Sequence, residues 1–209
     1  MGTLNEGEYL FQGQRLVAPN CYFRLEMQKD GNLVIYGGPG NPIWDTDTQG
    51  PGASGSHMTL QTDNNLVVYS HAESPLWDTN TNGFLGTARL KMQDDGNLVM
   101  YSDVLGAYWA SHTERAPQAW PCNQVPRTEA TRVHKNTDRP GGDLPGMPLR
   151  TTLVPHHNWC GNECAKNASC LAYTYVPPSS GQQAACYLKG SQPAAVTRSG
   201  MVSGLKLRL

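Results

Sequence analysis

The sequence predicts a mainly β chain of small repeated antiparallel sheets, followed by a short disulfide-stapled α+β segment. Three observations carry this. First, the strings QKDGNLVIY (Gln28–Tyr36), QTDNNLVVY (Gln61–Tyr69) and QDDGNLVMY (Gln93–Tyr101) recur 33 and then 32 residues apart. Self-similarity at such a period marks a repeat architecture. Second, each string is followed by a Trp-bearing stretch: PIWDTDT with Trp44, PLWDTNT with Trp77 and AYWASHT with Trp109. Third, of the six cysteines only Cys21 lies in the repeats; Cys122, Cys160, Cys164, Cys170 and Cys186 follow them.

Within each string, polar and apolar residues alternate. On a strand, Gln28, Asp30, Asn32, Val34 and Tyr36 point one way and Leu33 and Ile35 the other. Leu66 and Val68, then Leu98 and Met100, repeat the apolar face. Each repeat therefore reads as a small sheet that cannot bury its apolar side alone. Three of them around a pseudo-threefold axis pool Trp44, Trp77 and Trp109 in one core. Gly50-Pro51-Gly52 and Asn82-Gly83 are the turns between units. The string Thr113 to Gln118 breaks the period and marks a boundary. Beyond it, 139–146 is a turn-forming loop. Residues 157 to about 167 predict a helix with Asn158 as N-cap, and Cys160 and Cys164, four apart, share a face of it. Strands are expected over 171–176, 185–188 and 202–209.

The net charge of −1 gives no electrostatic case for nucleic acid. A charged fraction of only 16%, with abundant Gly and Pro, suits short strands and turns. No apolar run is long enough for a membrane span, and no signal-peptide pattern opens the chain. An even cysteine count clustered in a short segment favours disulfides and an oxidising, extracellular setting. The acceptor triplet Asn167-Ala168-Ser169 agrees with secretion.

The strings resemble the mannose-binding motif of the bulb-type (monocot, snowdrop-like) lectins, Gln-x-Asp-x-Asn-x-Val-x-Tyr. Every motif position is present: Gln28, Asp30, Asn32, Val34, Tyr36; Gln61, Asp63, Asn65, Val67, Tyr69; Gln93, Asp95, Asn97, Val99, Tyr101. The resemblance implies a β-prism II fold of three four-stranded sheets. It also implies that Asp and Asn hold the axial 2-hydroxyl of mannose, Gln the 3-hydroxyl and Tyr the 4-hydroxyl. The residue types suit a neutral sugar independently of the family: carboxylate acceptors, amides that donate and accept, a phenol, and Val as an aliphatic contact. This chain departs from the family at Gly31, which stands where plant members carry a disulfide cysteine, so features tied to that staple, such as dimers exchanging C-terminal strands, do not carry over. Cys21 either pairs with Cys122 or stays a free thiol.

The segments NTDRPGGDLPG, WCGNECAKNASCLAYTYV, ACYLKGS and SGLKLRL resemble a PAN/Apple domain. That resemblance implies the pairs Cys160–Cys186 and Cys164–Cys170, which spacing alone does not choose among three pairings. The expected organisation is a lectin domain over 1–113, a linker over 114–121 and a PAN/Apple-like domain over 122–209. Expected partners are mannose or mannosylated glycans and a protein or glycan ligand at the PAN domain, with a homo-oligomer as a further expectation.

No cofactor or metal is called for, although His156, His157, Cys160 and Cys164 have a zinc-like look. Asp94 and Asp95 face opposite sides of a strand, so they cannot act as a glycosidase pair on one bond. No catalytic residues are expected. The alternative function is an adhesion or receptor-type protein whose main ligand sits on the PAN domain, with sugar binding lost.

Overall fold

The structure, a computed structural model, describes residues 2–116, 118–124, 127–151 and 156–208. Pro117 of the expected linker, Leu209 of the expected last strand, and Val125, Pro126 and 152–155 of the expected PAN-like domain lie outside these. The chain folds as two compact units, one of residues 1–130 with 208–209 and one of 131–207.

The first unit begins with three short strands, β1 (Thr3–Asn5), β2 (Glu8–Phe11) and β3 (Arg15–Val17). Each repeat then contributes three more. These are β4 (Phe23–Met27), β5 (Leu33–Gly37) and β6 (Asn41–Asp45); β7 (His57–Leu60), β8 (Leu66–Tyr69) and β9 (Pro75–Asp78); and β10 (Ala88–Met92), β11 (Leu98–Ser102) and β12 (Gly106–Ala110). Antiparallel pairing joins β3 to the first repeat, β2 to the second and β1 to the third. Three four-stranded sheets result, the β-prism arrangement.

Alternation explains why the sheets close on one another. Leu33 and Ile35, Leu66 and Val68, and Leu98 and Met100 are fully buried in a common core. Burial of each such side chain is worth about 1.5–3 kcal/mol. Trp44, Trp77 and Trp109 meet edge-to-face, with ring centroids 5.6, 6.1 and 6.5 Å apart and interplanar angles of 73–77°. That near-equality is the threefold symmetry expressed in side chains. A disulfide joins Cys21 to Cys122, which opens a short 3₁₀ turn, Cys122–Gln124. The expected linker, 114–121, lies within this unit.

The strings are not strands throughout. The strand β5 begins only at Leu33, and Gln28–Asn32 is a tight loop closed by Gln28 N–H donating to Asn32 O at 2.8 Å. Gln61–Asn65 and Gln93–Asn97 repeat this at 2.9 and 3.0 Å. The tight turn needs positive φ at its fourth position, supplied by Gly31 (92°), Asn64 (70°) and Gly96 (86°).

In the second unit, the sheet order is β14 (Leu149–Thr151), β16 (Ala184–Lys189), β15 (Ala172–Val176), β17 (Val196–Arg208) and β13 (Glu129–Asp138). The helix α1 (His157–Lys166) packs on β15 and β16. Cys160–Cys186 and Cys164–Cys170 staple it there. The zinc-like look is thus resolved by sulfur–sulfur bonds. Few large apolar side chains fill this core, so two disulfides worth roughly 2–4 kcal/mol each matter greatly. The N-cap is His156, not Asn158: the His156 Nδ1 accepts from Asn158 N–H at 3.4 Å. Asn158 is instead buried inside the first turn, where its carbonyl accepts from Asn162 Nδ2. The last strand starts at Val196 rather than 202.

Candidate functional site

In each repeat the motif residues gather where the loop enters the strand. In the first, Asp30 Oδ1 accepts from Asn32 N–H at 3.0 Å, which fixes the carboxylate and leaves its second oxygen open. The Asn32 carbonyl oxygen accepts from the Thr46 hydroxyl (3.0 Å) and Thr48 N–H (3.2 Å). These two donors fix which end of the amide is oxygen, so Nδ2 is the end left to donate. Gln28 Nε2 donates to the Tyr36 hydroxyl oxygen, coupling the loop to the far end of the motif.

The second repeat reproduces this with Asp63, Asn65, Thr79, Thr81, Gln61 and Tyr69. The third reproduces it with Asp95, Asn97, Ser111, Thr113, Gln93 and Tyr101. All fifteen motif residues expected from the sequence thus fall into three clusters of five. The motif valines are the least open members of the clusters: Val34, Val67 and Val99 are only 3–5% exposed.

Each motif Tyr has a partner across the neighbouring strand. Arg24 lies 4.4 Å from the Tyr36 ring centroid and Arg89 5.9 Å from that of Tyr101. His57 stacks on Tyr69 at 5.5 Å. Such contacts hold the phenol in place without using its hydroxyl.

Two residues escaped the sequence reading. Asp45 Oδ1 accepts from Asn32 Nδ2, and Asp78 Oδ1 from Asn65 Nδ2, each at 3.3 Å. The third repeat has Ala110 in that position, and Asn97 Nδ2 has no protein acceptor among the described residues. The signal was present in Trp-Asp-Thr, Trp-Asp-Thr and Trp-Ala-Ser, but an Asp closing a strand reads as a turn residue. The same stretch places Tyr108 in the third repeat, where Ile43 and Leu76 stand in the others. Its hydroxyl donates to Asn64 O at 3.2 Å. Burial, with the Glu6 and Asp63 carboxylates, pushes its ionisation up to about 12.

Among the described residues, no group of three or more His, Cys, Asp or Glu is placed to hold a metal ion. No helix of the described residues is long and apolar enough to cross a membrane.

Three solved structures are similar to the first part of the chain. A monomeric monocot mannose-binding lectin from Gastrodia elata is 36% identical, covering 55% of this chain and 97% of its own, with a TM-score of 0.49. The mannose-specific snowdrop (Galanthus nivalis) agglutinin, solved with methyl-α-D-mannoside, is 37% identical over 56% of this chain and 100% of its own, with a TM-score of 0.46. A tarin lectin bound to trimannose is 31% identical over 53% and 94%, with a TM-score of 0.43. A PAN domain model matches residues 137–189. No curated protein matches the chain. On identity across nearly the full length of these lectins, the chain belongs to the monocot mannose-binding lectin family through its first half, and it carries a PAN domain after that.

Proposed function

We propose that this protein is a non-catalytic lectin that binds mannose or mannose-rich glycans through three sites, one per repeat, in its 1–113 domain. The observation that carries the reading is the threefold recurrence of one hydrogen-bonding arrangement. Each cluster sets a free carboxylate oxygen beside an amide N–H whose orientation is fixed. A single hydroxyl that donates to the first and accepts from the second satisfies both. Gln and Tyr then offer a second such pair for the neighbouring hydroxyls. A ring that turns the first hydroxyl the other way leaves the acid and amide unpaired, so the equatorial epimer binds more weakly. Mannosides bound by the snowdrop and tarin lectins support the same ligand class.

Each shallow site is expected to be weak, and a millimolar dissociation constant corresponds to only about −4 kcal/mol. Clustered glycans engaging more than one site gain roughly 10²–10⁴ through avidity. The PAN domain supplies further protein or glycan contacts, and the three disulfides fit a secreted protein. Calorimetric titration with methyl α-mannoside and methyl α-glucoside tests the reading. Binding of the mannoside alone is expected, with loss in Asn32→Ala/Asn65→Ala/Asn97→Ala. Undiminished mannoside binding by that triple variant places the sites elsewhere.

A further inference from the structure

A cavity of about 250 Å³ lies at the Tyr36 end of the first repeat, lined by Arg15, Cys21, Arg24, Pro39, Trp120 and Gln124 among others. It is smaller than the roughly 300–1,000 Å³ of drug-sized sites, which leaves room for one small ring. None of its side chains belongs to the mannose motif.

Its chemistry is one-sided. Arg15 and Arg24 both approach Glu26, at 3.9 and 3.4 Å, so one carboxylate is shared by two guanidiniums and one positive charge is left over. Glu26 is outside the lining, whereas both arginines are in it. Arg15 Nη2 donates to Gly13 O and Arg24 Nη1 to Gly38 O. Arg15 Nε, Arg24 Nη2 and the Trp120 indole N–H have no acceptor among the described residues. A cavity rich in spare donors with a net positive wall selects a ligand rich in acceptors, and a carboxylate matches a guanidinium best. Trp120 and Pro39 add an apolar wall of the kind that takes the C–H face of a sugar ring.

The wall is also built deliberately into the covalent structure. Cys21–Cys122 ties the segment holding Trp120 to the prism. Trp120 N–H donates to Asn20 O at 3.1 Å, and Asn20 Nδ2 donates to Gln118 O at 2.7 Å. Trp120 and Gln124 of this fastened segment form part of the cavity lining.

We propose that this cavity is a second kind of saccharide site, taking a sugar that carries a carboxylate, such as a uronic acid. The site adjoins the first mannose cluster through Arg24, which lines the cavity and covers the Tyr36 ring. An acidic residue and a mannose of one glycan are thereby placed to bind as neighbours. Occupancy by the acidic sugar alone does not require the mannose reading.

The test is calorimetric titration of the full chain with D-glucuronate, with methyl α-glucopyranoside as the neutral ring and acetate as the carboxylate without a ring. Glucuronate is expected to bind, more weakly as salt rises, while the other two do not. Arg15→Gln and Trp120→Ala should each weaken it at least tenfold, and Arg15→Lys should retain part of the salt-sensitive binding. Methyl α-mannoside should titrate equally in the parent and all three variants, with circular dichroism and an intact Cys21–Cys122 bond reporting the fold. No glucuronate binding, acetate binding as well as glucuronate, or parent-like glucuronate binding in both Arg15→Gln and Trp120→Ala overturns the proposal. Failure of the mannoside titration in the parent overturns the mannose reading instead and leaves the glucuronate result standing.

Discussion

The first two repeats and the third share one motif but not one network. In the first two, the motif Asn is held at both ends of its amide: threonines and a backbone N–H take the oxygen, and Asp45 or Asp78 takes a proton of the nitrogen. In the third, Ser111 and Thr113 hold the oxygen more loosely, at 3.1 and 3.4 Å, and neither amide proton has a protein acceptor among the described residues. Sequence identity at five motif positions therefore does not make three equal sites. The residue thirteen positions past the Asn decides how much of its hydrogen-bonding capacity is already spoken for. The first two clusters keep one amide proton beside two carboxylates, whereas the third keeps two protons beside one.

The largest effect of this difference should appear in stability. Asn32→Ala and Asn65→Ala strip partners from buried Thr46, buried Thr81 and the neighbouring Asp, and each should cost about 1–3 kcal/mol in chemical denaturation. Asn97→Ala, at a more open position with fewer partners, should cost measurably less. Equal losses at all three positions would erase the distinction. A smaller effect is expected from moving the Asp itself. Asp45→Ala or Asp78→Ala should lose, and Ala110→Asp should gain, about 0.5–1.5 kcal/mol. Side-chain amide resonances give the direct view: Ala110→Asp should slow exchange of the Asn97 NH₂ protons toward the behaviour of Asn32 and Asn65.

The smallest effect concerns Tyr108, which precedes Trp109 where Ile43 and Leu76 precede Trp44 and Trp77. Below pH about 10 it is neutral whether the chain is folded or unfolded. As pH rises further, the unfolded chain ionises first, because the folded group holds its proton up to about 12. The folded state then binds more protons, so stability falls with rising pH across this window. Tyr108→Phe should flatten that decline. An unchanged alkaline profile would show that the hydroxyl is solvated like any surface phenol.

What the sequence made legible follows from what alternation can encode. Leu33 and Ile35 had to face one way, and three copies of that stripe had to find a shared interior, so sheets and core could be read from the string alone. The same alternation misassigned Gln28 to Asn32 as strand. A loop with positive φ at Gly31 also sets Gln, Asp and Asn on one side, and period-two spacing does not separate the two geometries. Asp45 and Asp78 were hidden because their partner is thirteen residues back and reached only through cross-strand register. In the second unit, Asn158 has the better capping propensity, but the side chain of His156 reaches the exposed N–H first. The disulfide partners likewise depended on pairing across the fold, which spacing along the chain does not report.

The order in which β1, β2 and β3 join the sheets has a consequence for synthesis. They pair with the third, second and first repeats respectively, the reverse of their own order. A chain emerging from the ribosome can add β3 to its first repeat early, but Thr3–Asn5 must wait for Ala88–Met92 before finding a partner. Residues Thr3–Asn5 are thus among the last of the prism to be ordered, and the three Trp rings meet only when the third repeat arrives. Nascent chains should stay susceptible to proteases around Thr3–Asn5 until roughly the whole prism is exposed, then become protected in a single step.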